Sequence, residues 1–144
     1  MLFGKRQRKI SRILIVEDEP LVAFDNEHFL RDAGYVVVDT VDTVAQAVAA
    51  FDQRIDLVLA DVNLSDGGNG RDVAAAASER GVPLIFVTGA CPPDAQAHAI
   101  GCLAKPYSQR DLLGAIEVIE AGLQGKSARR LPTGFRLFAP AAAA

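Results

Sequence analysis

Short apolar runs alternate along this chain with segments whose apolar residues recur every three or four positions. The runs are typical of buried strands, and the recurring positions are typical of helices that pack on one face. Regular alternation of the two predicts a parallel sheet with crossover helices. The predicted strands are Arg12–Val16, Val36–Thr40, Leu57–Asp61, Pro83–Thr88 and Cys102–Ala104.

The predicted helices have recognisable ends. Pro20 suits the first turn of a helix that ends at Ala33, just before Gly34. Thr43 and Ser108 are residues that commonly cap helix N-termini. The predicted helices are Pro20–Ala33, a helix from the Thr43 cap through Phe51, Arg71–Arg80, a short weak helix ending near Ile100, and a last helix from the Ser108 cap to about Leu123.

The length of 144 residues fits one domain with a single substantial core. We expect a basic N-terminal extension over 1–11, the folded domain over 12–124 and a disordered tail over 125–144, with no second domain. Cys91 and Cys102 are too few for a disulfide framework and have no metal-site spacing, so we expect unpaired thiols and a cytoplasmic protein. No apolar run approaches the roughly 20 residues that cross a bilayer, so no membrane association is expected.

Charge is divided unevenly along the chain. Residues 1–12 carry five basic side chains and residues 125–144 carry four, with no acidic side chain in either segment. The middle of the chain holds six basic and all 18 acidic residues, a net charge of −12. Because so acidic a middle repels phosphate backbones, nucleic-acid binding is disfavoured.

Polar residues lie at the carboxyl ends of four of the five predicted strands. They are Glu17-Asp18, Asp61, Thr88 and Lys105. Parallel strands deliver their carboxyl ends to one crevice, so these groups should meet. Crowded carboxylates repel one another unless a cation lies among them, and oxygen ligands favour Mg²⁺. We expect Asp18 and Asp61 to bind the cation directly, Glu17 to hold a bound water, and the Asn63 carbonyl to complete the protein ligands.

Asp61 is the single acid at the end of an otherwise apolar run. A carboxylate oxygen beside a bound cation can attack phosphorus and form an acyl phosphate. The cation and Lys105 would neutralise charge on the transferring phosphoryl oxygens, and Thr88 could donate a hydrogen bond to one of them. Gly89 would let the backbone approach closely, and the Lys105-Pro106 peptide is a candidate for the cis form.

Taken together, Glu17-Asp18, Asp61 with Asn63, Thr88-Gly89 and Lys105-Pro106 resemble the receiver domain of two-component response regulators. The resemblance covers about residues 11–124. It implies an α/β, flavodoxin-like (βα)5 fold, a doubly wound parallel sheet with strand order 2-1-3-4-5. It also implies phosphorylation of Asp61 by a phosphohistidine donor, Mg²⁺ at the acidic residues and Asn63, and phosphoryl contacts from Thr88 and Lys105.

One position departs from that family. Receivers usually carry Phe or Tyr three residues before the lysine, as a ring that moves inward on activation, and this chain has Cys102 there. With the segment Pro83–Gly89, this resembles the single-domain receivers that carry a Pro-Phe-x-Phe-Ala-Thr-Gly-Tyr-like motif in alphaproteobacteria, a subgroup associated with general stress signalling. We expect the switch to involve Thr88, Gly89 and position 102, and to run through the loop over 88–93.

The favoured interpretation is a stand-alone phosphoacceptor, not an enzyme, that loses its phosphoryl group by Mg²⁺-dependent self-hydrolysis. Its expected partners are a histidine kinase, a histidine phosphotransfer protein, or both. One alternative is an adaptor that keeps the fold and acts without phosphorylation. Another is a phosphatase with an aspartyl-phosphate intermediate, which Asn63 disfavours because such enzymes need an acid at that position.

Overall fold

The sheet has six strands, one more than the sequence predicts. The computed structural model describes residues 8–64, 67–127 and 130–138. The five expected strands are parallel in the order 2-1-3-4-5, as predicted, and the sixth pairs antiparallel with the fifth at the sheet edge. The strands are β1 (Arg12–Val16), β2 (Val36–Val41), β3 (Leu57–Ala60), β4 (Leu84–Thr88), β5 (Gly101–Ala104) and β6 (Phe135–Leu137).

Four α-helices, rather than five, connect these strands in the described part of the chain. The predicted weak helix between β4 and β5 is a single 3₁₀ turn over Ala95–Ala97, because Pro92 and Pro93 occupy the start of a short connection and lack N–H donors. None of the described helices combines the length and the apolar character needed to span a bilayer. The α-helices are α1 (Pro20–Asp32), α2 (Val44–Ala50), α3 (Gly70–Glu79) and α4 (Gln109–Leu123).

Helix caps fix where the connections begin. The Thr43 hydroxyl accepts a hydrogen bond from the Gln46 N–H at 3.1 Å, and the Ser108 hydroxyl accepts one from the Asp111 N–H at 3.0 Å, as the sequence predicts. Asn69 caps α3 in the same manner. These caps set the loops that follow the carboxyl ends of the strands, where the polar residues lie.

The core is divided by the sheet into two apolar layers. Side chains alternate along β1, so Ile13 and Ile15 face the layer under α1 and α4. Leu14 and Val16 face the layer under α2 and α3. Burial on both sides explains why the central strands appear in the sequence as continuous apolar runs rather than as alternating ones.

β6 corrects the prediction of a disordered tail. The Phe135 side chain is buried, and the strand covers the outer edge of β5. Two glycines leave room for this segment, since a Cβ at Gly101 would lie 2.8 Å from the Phe135 ring and one at Gly114 would lie 2.8 Å from Pro132. The pairing of β6 with β5 depends on a tertiary contact, which a local sequence pattern does not indicate. The terminal alanine run lies outside the described residues.

The chain is anchored to the folded body before the first strand. Ile10 is fully buried, although the predicted extension includes it. Glu120 on α4 accepts hydrogen bonds from the N–H groups of Lys9 and Ile10, both at 2.9 Å. Asp56 accepts from the N–H groups of the next two residues at 3.0 and 2.9 Å. The folded body therefore starts earlier than predicted, and residues 1–7, with Lys5 and Arg6, lie outside the described part.

Asp56 makes the free energy of unfolding depend on pH. Burial alone would raise its pKa, but hydrogen bonds from the Ser11 and Arg12 amides and the Ser11 hydroxyl outweigh burial and hold the pKa below its usual value. A lowered carboxyl pKa stabilises the folded state above the unfolded-state pKa near 4, and this stabilisation is lost as pH falls through the folded-state value. Asp56→Asn should cost about 2 kcal/mol at pH 7 and progressively less below about pH 4.

Urea denaturation at pH 7 and at pH 3 measures this difference. Asp52→Asn, which removes an exposed carboxylate four positions earlier, is the matched control and should change stability by less than about 0.5 kcal/mol. Equal losses for the two variants, or a loss from Asp56→Asn that stays the same at both pH values, would contradict the assignment.

Candidate functional site

The carboxyl ends of four parallel strands form one crevice. Backbone hydrogen bonds continue the sheet past the strand ends: the Asp61 N–H donates to the Val16 carbonyl at 2.9 Å, and the Lys105 N–H donates to the Thr88 carbonyl at 2.8 Å. Glu17 is held in the same way, by its N–H to the Val41 carbonyl. The structure therefore brings these predicted residues to the same edge of the sheet.

The Lys105 ammonium group is the centre of the site. Its Nζ lies 3.0 Å from Glu17 Oε1, 2.6 Å from Glu19 Oε1 and 3.0 Å from Asp61 Oδ2. Burial alone would lower the pKa of Lys105, but hydrogen bonds with these three carboxylates outweigh burial and raise it. The lysine thus stays fully charged at neutral pH. The Lys105-Pro106 peptide that follows is cis, as predicted.

The inner part of the site is removed from water, whereas the Glu19 side chain at its margin is 58% exposed. Glu17, Asp61 and Thr88 are 5%, 8% and 3% exposed. Burial raises the pKa of Glu17, and Lys105 and the Glu19 amide oppose that rise in part. Electrostatic interactions among these groups are stronger here than on an open surface, because little water screens them.

The two oxygens of Asp61 have different surroundings. Oδ1 accepts hydrogen bonds from the N–H groups of Val62 at 2.7 Å and Asn63 at 3.4 Å, whereas Oδ2 faces Lys105. The backbone amides fix the carboxylate plane, and Oδ2 is directed into the crevice toward the ammonium group.

Gly70 at the start of α3 packs against the backbone that carries Asp61, a role that the sequence does not indicate. A Cβ there would collide with the Asp61 carbonyl oxygen and would lie 2.9 Å from Val62 Cα. The Gly70 N–H donates to the Val62 carbonyl at 2.6 Å. Only a glycine lets α3 pack this close to the chain that carries Asp61.

The donor set suits a hard divalent cation. Within the described residues, carboxylate oxygens of Glu17, Glu19 and Asp61 lie within 4.8 Å of one another. One ammonium cannot balance three carboxylates, and all three offer the oxygen ligands that Mg²⁺ prefers. The sequence predicts Asp18 as the third carboxylate of this cluster, but the structure has Glu19 there. The signal for Glu19 in the sequence is its position directly after the predicted acidic pair.

The other two predicted ligands lie at the margin. Asp18 is half-buried and lines a hollow on the β2 side of the crevice, beside Thr40 and Gln46. Asn63 is exposed directly after Asp61 and forms an isolated bridge with Asn69. Their roles as ligands remain predictions.

The predicted switch residues have distinct surroundings. Thr88 is buried at the end of β4, whereas Gly89 is exposed and a Cβ there would meet open space, so no close backbone approach requires a glycine. Cys102 is fully buried in β5 as expected, but it forms a disulfide with Cys91. The expectation of unpaired thiols is wrong, because the loop after β4 folds back over the sheet and brings the two Cα atoms to 6.2 Å.

A groove beside the crevice separates α1 from the loop after β5. The Asn26 side chain donates a hydrogen bond to the Tyr107 hydroxyl at 2.7 Å across its floor. Burial raises the pKa of Tyr107, against the lowering effect of that hydrogen bond. Elsewhere on α1, the apolar side chains of Leu21 and Phe24 are 79% and 57% exposed. Residues lining the groove are Glu19, Val22, Asp25, Asn26, Lys105, Pro106, Tyr107 and Gln109.

Comparison with known proteins agrees with this geometry. Residues 13–117 match the model of the response regulator receiver domain. The phyllosphere-induced regulator PhyR of Methylorubrum extorquens is 41% identical over 81 residues, which are 54% of this chain and 30% of PhyR. The transcriptional regulatory protein PdtaR of Mycobacterium tuberculosis is 35% identical over 114 residues, 74% of this chain and 55% of PdtaR.

Among solved structures, SdrG from Sphingomonas melonis superimposes with a TM-score of 0.67 at 36% identity, over 77% of this chain and 97% of SdrG. The chain spans about half or less of the length of the two curated relatives above. Receiver domains are signalling proteins of two-component systems, and magnesium and a phosphoaspartate are typical of them. The family match and the crevice at the carboxyl end of the sheet lead to one conclusion: this chain belongs to the response regulator receiver domain family.

Proposed function

We propose that this receiver accepts a phosphoryl group on Asp61 from a phosphohistidine donor. The observation that carries the proposal is the contact of 3.0 Å between Asp61 Oδ2 and Lys105 Nζ in a buried acidic crevice. A nucleophilic carboxylate oxygen and a permanent positive charge are thereby placed side by side.

The chemical step is a direct transfer of the phosphoryl group from histidine to aspartate. An Asp61 oxygen attacks the phosphorus of the donor, an O–P bond forms, and the N–P bond of the phosphohistidine breaks. The electron pair stays on the imidazole nitrogen, which leaves as neutral histidine after taking a proton. Lys105 would neutralise negative charge that the transferred group brings into the site.

Mg²⁺ is the expected cofactor of this step. When bound, it would neutralise charge on the phosphoryl oxygens. We propose Glu17, Asp18, Asp61 and the Asn63 carbonyl as its protein ligands, and the position of Glu19 adds a further oxygen to that set. Thr88 would donate its hydroxyl to a phosphoryl oxygen, and Gly89 would give the following loop the freedom to move with it.

The donor would dock on the groove between α1 and the loop after β5. Receiver domains are generally phosphorylated by histidine kinases, and a helix presenting a phosphohistidine needs an apolar surface beside the acceptor. Val22, Pro106 and Tyr107 supply apolar lining in this groove, and Lys105 belongs both to the groove and to the crevice. We propose a histidine kinase, a histidine phosphotransfer protein, or both, as partners in the cytoplasm.

A role in stress signalling is the proposed biological context. The likeness to PhyR and SdrG supports it, as does the resemblance of the Pro83–Gly89 segment to the motif of alphaproteobacterial single-domain receivers. In that context the phosphorylated chain would act by passing the group onward or by changing its binding to a partner.

Label transfer from a phosphohistidine donor tests the proposal. A histidine phosphotransfer protein carrying ³²P should label the wild-type chain in the presence of Mg²⁺. Asp61→Asn should reduce labelling by at least about a hundredfold, because an amide oxygen is a poor nucleophile. Asp52→Asn, an exposed carboxylate far from the crevice, should label as the wild type does.

Absence of label on the wild type, with several donors, would contradict the proposal. It would instead favour the alternative of an adaptor that keeps the receiver fold and binds its partner without phosphorylation. Steady hydrolysis of a simple phosphomonoester would favour the phosphatase alternative.

A further inference from the structure

The disulfide between Cys91 and Cys102 joins two segments that the sheet places side by side. Cys102 is fully buried in β5, and Cys91 is half-buried in the loop that follows β4. Eleven positions separate the two residues, and their Cα atoms lie 6.2 Å apart, within the range of ordinary disulfides. The bridge therefore fits the backbone as it stands.

Its position relates it directly to the crevice. Cys91 is the third residue after Thr88, and Cys102 is the third residue before Lys105. β4 and β5 pair in parallel with Thr88 opposite Ala104. The bridge thus ties the loop that begins at Thr88 to the strand that ends at Lys105, at the position where other receivers carry a mobile ring.

Non-covalent contacts also hold this loop, and at its end the Ile100 N–H donates to the Leu84 carbonyl at 2.9 Å. Asp94 accepts hydrogen bonds from two nitrogens of Arg71 on α3, and exposures of 62% and 41% weaken this pair by admitting water. The 3₁₀ turn spans three residues, and Ala95 and Ala99 offer small apolar side chains to the core. The disulfide adds a covalent link between this loop and β5 to these contacts.

We infer that Cys91–Cys102 is a reversible thiol–disulfide site, and that its redox state sets the mobility of the segment over 89–100. Resting on the proposed function, we further infer that it thereby sets the rate at which Asp61 is phosphorylated. With the bridge closed, the segment after Thr88 is held against β5. With the bridge open, that segment can move with Thr88.

The reaction partner is a dithiol reductant, and the exchange is balanced. One thiolate of the reductant attacks Cys91 Sγ, the more accessible sulfur, and the Cys91–Cys102 bond breaks. The electron pair goes to Cys102 Sγ, which takes a proton. The second thiol of the reductant then attacks the reductant sulfur that is bonded to Cys91. This closes the reductant's disulfide and releases the Cys91 thiolate. The protein gains two thiols and the reductant becomes a disulfide; a disulfide-form oxidant reverses the exchange.

Amide hydrogen exchange of the full chain, read by mass spectrometry, tests the site without any phosphoryl group. Reduction with dithiothreitol should speed exchange over 89–100 by about tenfold or more, because local opening is no longer limited by the cross-link. Exchange in β1 and β3 should not change. Cys91→Ser should exchange like the reduced wild type and should not respond to dithiothreitol. Unchanged exchange over 89–100 on reduction would overturn the inference.

Phosphoramidate labelling of Asp61 tests the coupling. The oxidised and reduced wild type should differ in labelling rate by at least about threefold, whereas Cys91→Ser should show the same rate with and without dithiothreitol. Equal rates in the two redox states would overturn the coupling. Absence of label in both states, with phosphoramidate and with phosphohistidine donors, would instead overturn the proposed function, and the exchange measurement would still decide the redox site by itself.

Discussion

Replacing Lys105 with methionine is expected to slow phosphoryl transfer to Asp61 by at least about a hundredfold, the usual loss when one preorganised charge donor is removed. Methionine keeps the length and apolar stem of the side chain, so the change isolates the ammonium group. Without it, Glu17, Glu19 and Asp61 face an incoming phosphoryl group with no positive side chain among them. Initial rates with a labelled phosphohistidine donor, at fixed Mg²⁺, measure the effect.

Lys126→Met is the matched control. Lys126 is exposed beyond the end of α4, far along the chain from the crevice strands, and its removal should leave the rate unchanged. Far-ultraviolet circular dichroism of both variants checks that the sheet is intact. A loss of less than about threefold for Lys105→Met would show that the ammonium group does not support the transfer.

Gly70→Ala is expected to have the second largest effect, and it acts on stability and activity together. The added Cβ would collide with the Asp61 carbonyl oxygen, and the obstacle is backbone rather than the movable end of a side chain. Overpacking of this kind should cost about 2 kcal/mol and lower Tm by roughly 8 °C. Because the displaced backbone carries Asp61, phosphoryl transfer should also fall in molecules that remain folded.

Gly122→Ala makes the same chemical change where nothing lies within 4 Å of the added Cβ. Gly122 is exposed on α4, so alanine there should raise stability slightly through its better helix propensity. Thermal unfolding and label transfer, measured on both variants, separate the close approach of α3 from a general effect of alanine. Equal Tm values for Gly70→Ala and the wild type would show that α3 can move away from Asp61 without cost.

The sequence predicts the parallel sheet and the crevice well because both depend on local patterns. Continuous apolar runs mark strands buried on both faces, and each polar residue that ends a run has its position fixed by the strand before it. Glu17, Asp61, Thr88 and Lys105 lie at the same edge of the sheet for that reason. Helix caps such as Thr43 and Ser108 are equally local and are confirmed.

The features that the sequence does not predict depend on contacts between residues that are far apart in the chain. β6 is three residues long and exists because Gly101 leaves room for Phe135 at the edge of β5. The disulfide depends on how the loop after β4 folds back toward Cys102, which cysteine spacing does not reveal. Phe24 is a third case, because its place in the apolar pattern of α1 does not reveal that its side chain is 57% exposed.

Identification of the phosphorylated residue tests the central claim most directly. Wild-type protein labelled by a phosphohistidine donor would be treated with borohydride, which converts an aspartyl phosphate to homoserine, then digested and sequenced by mass spectrometry. We expect homoserine at position 61 and at no other aspartate. Homoserine at Asp18 or elsewhere, or a phosphoryl group found on a histidine, would contradict the account.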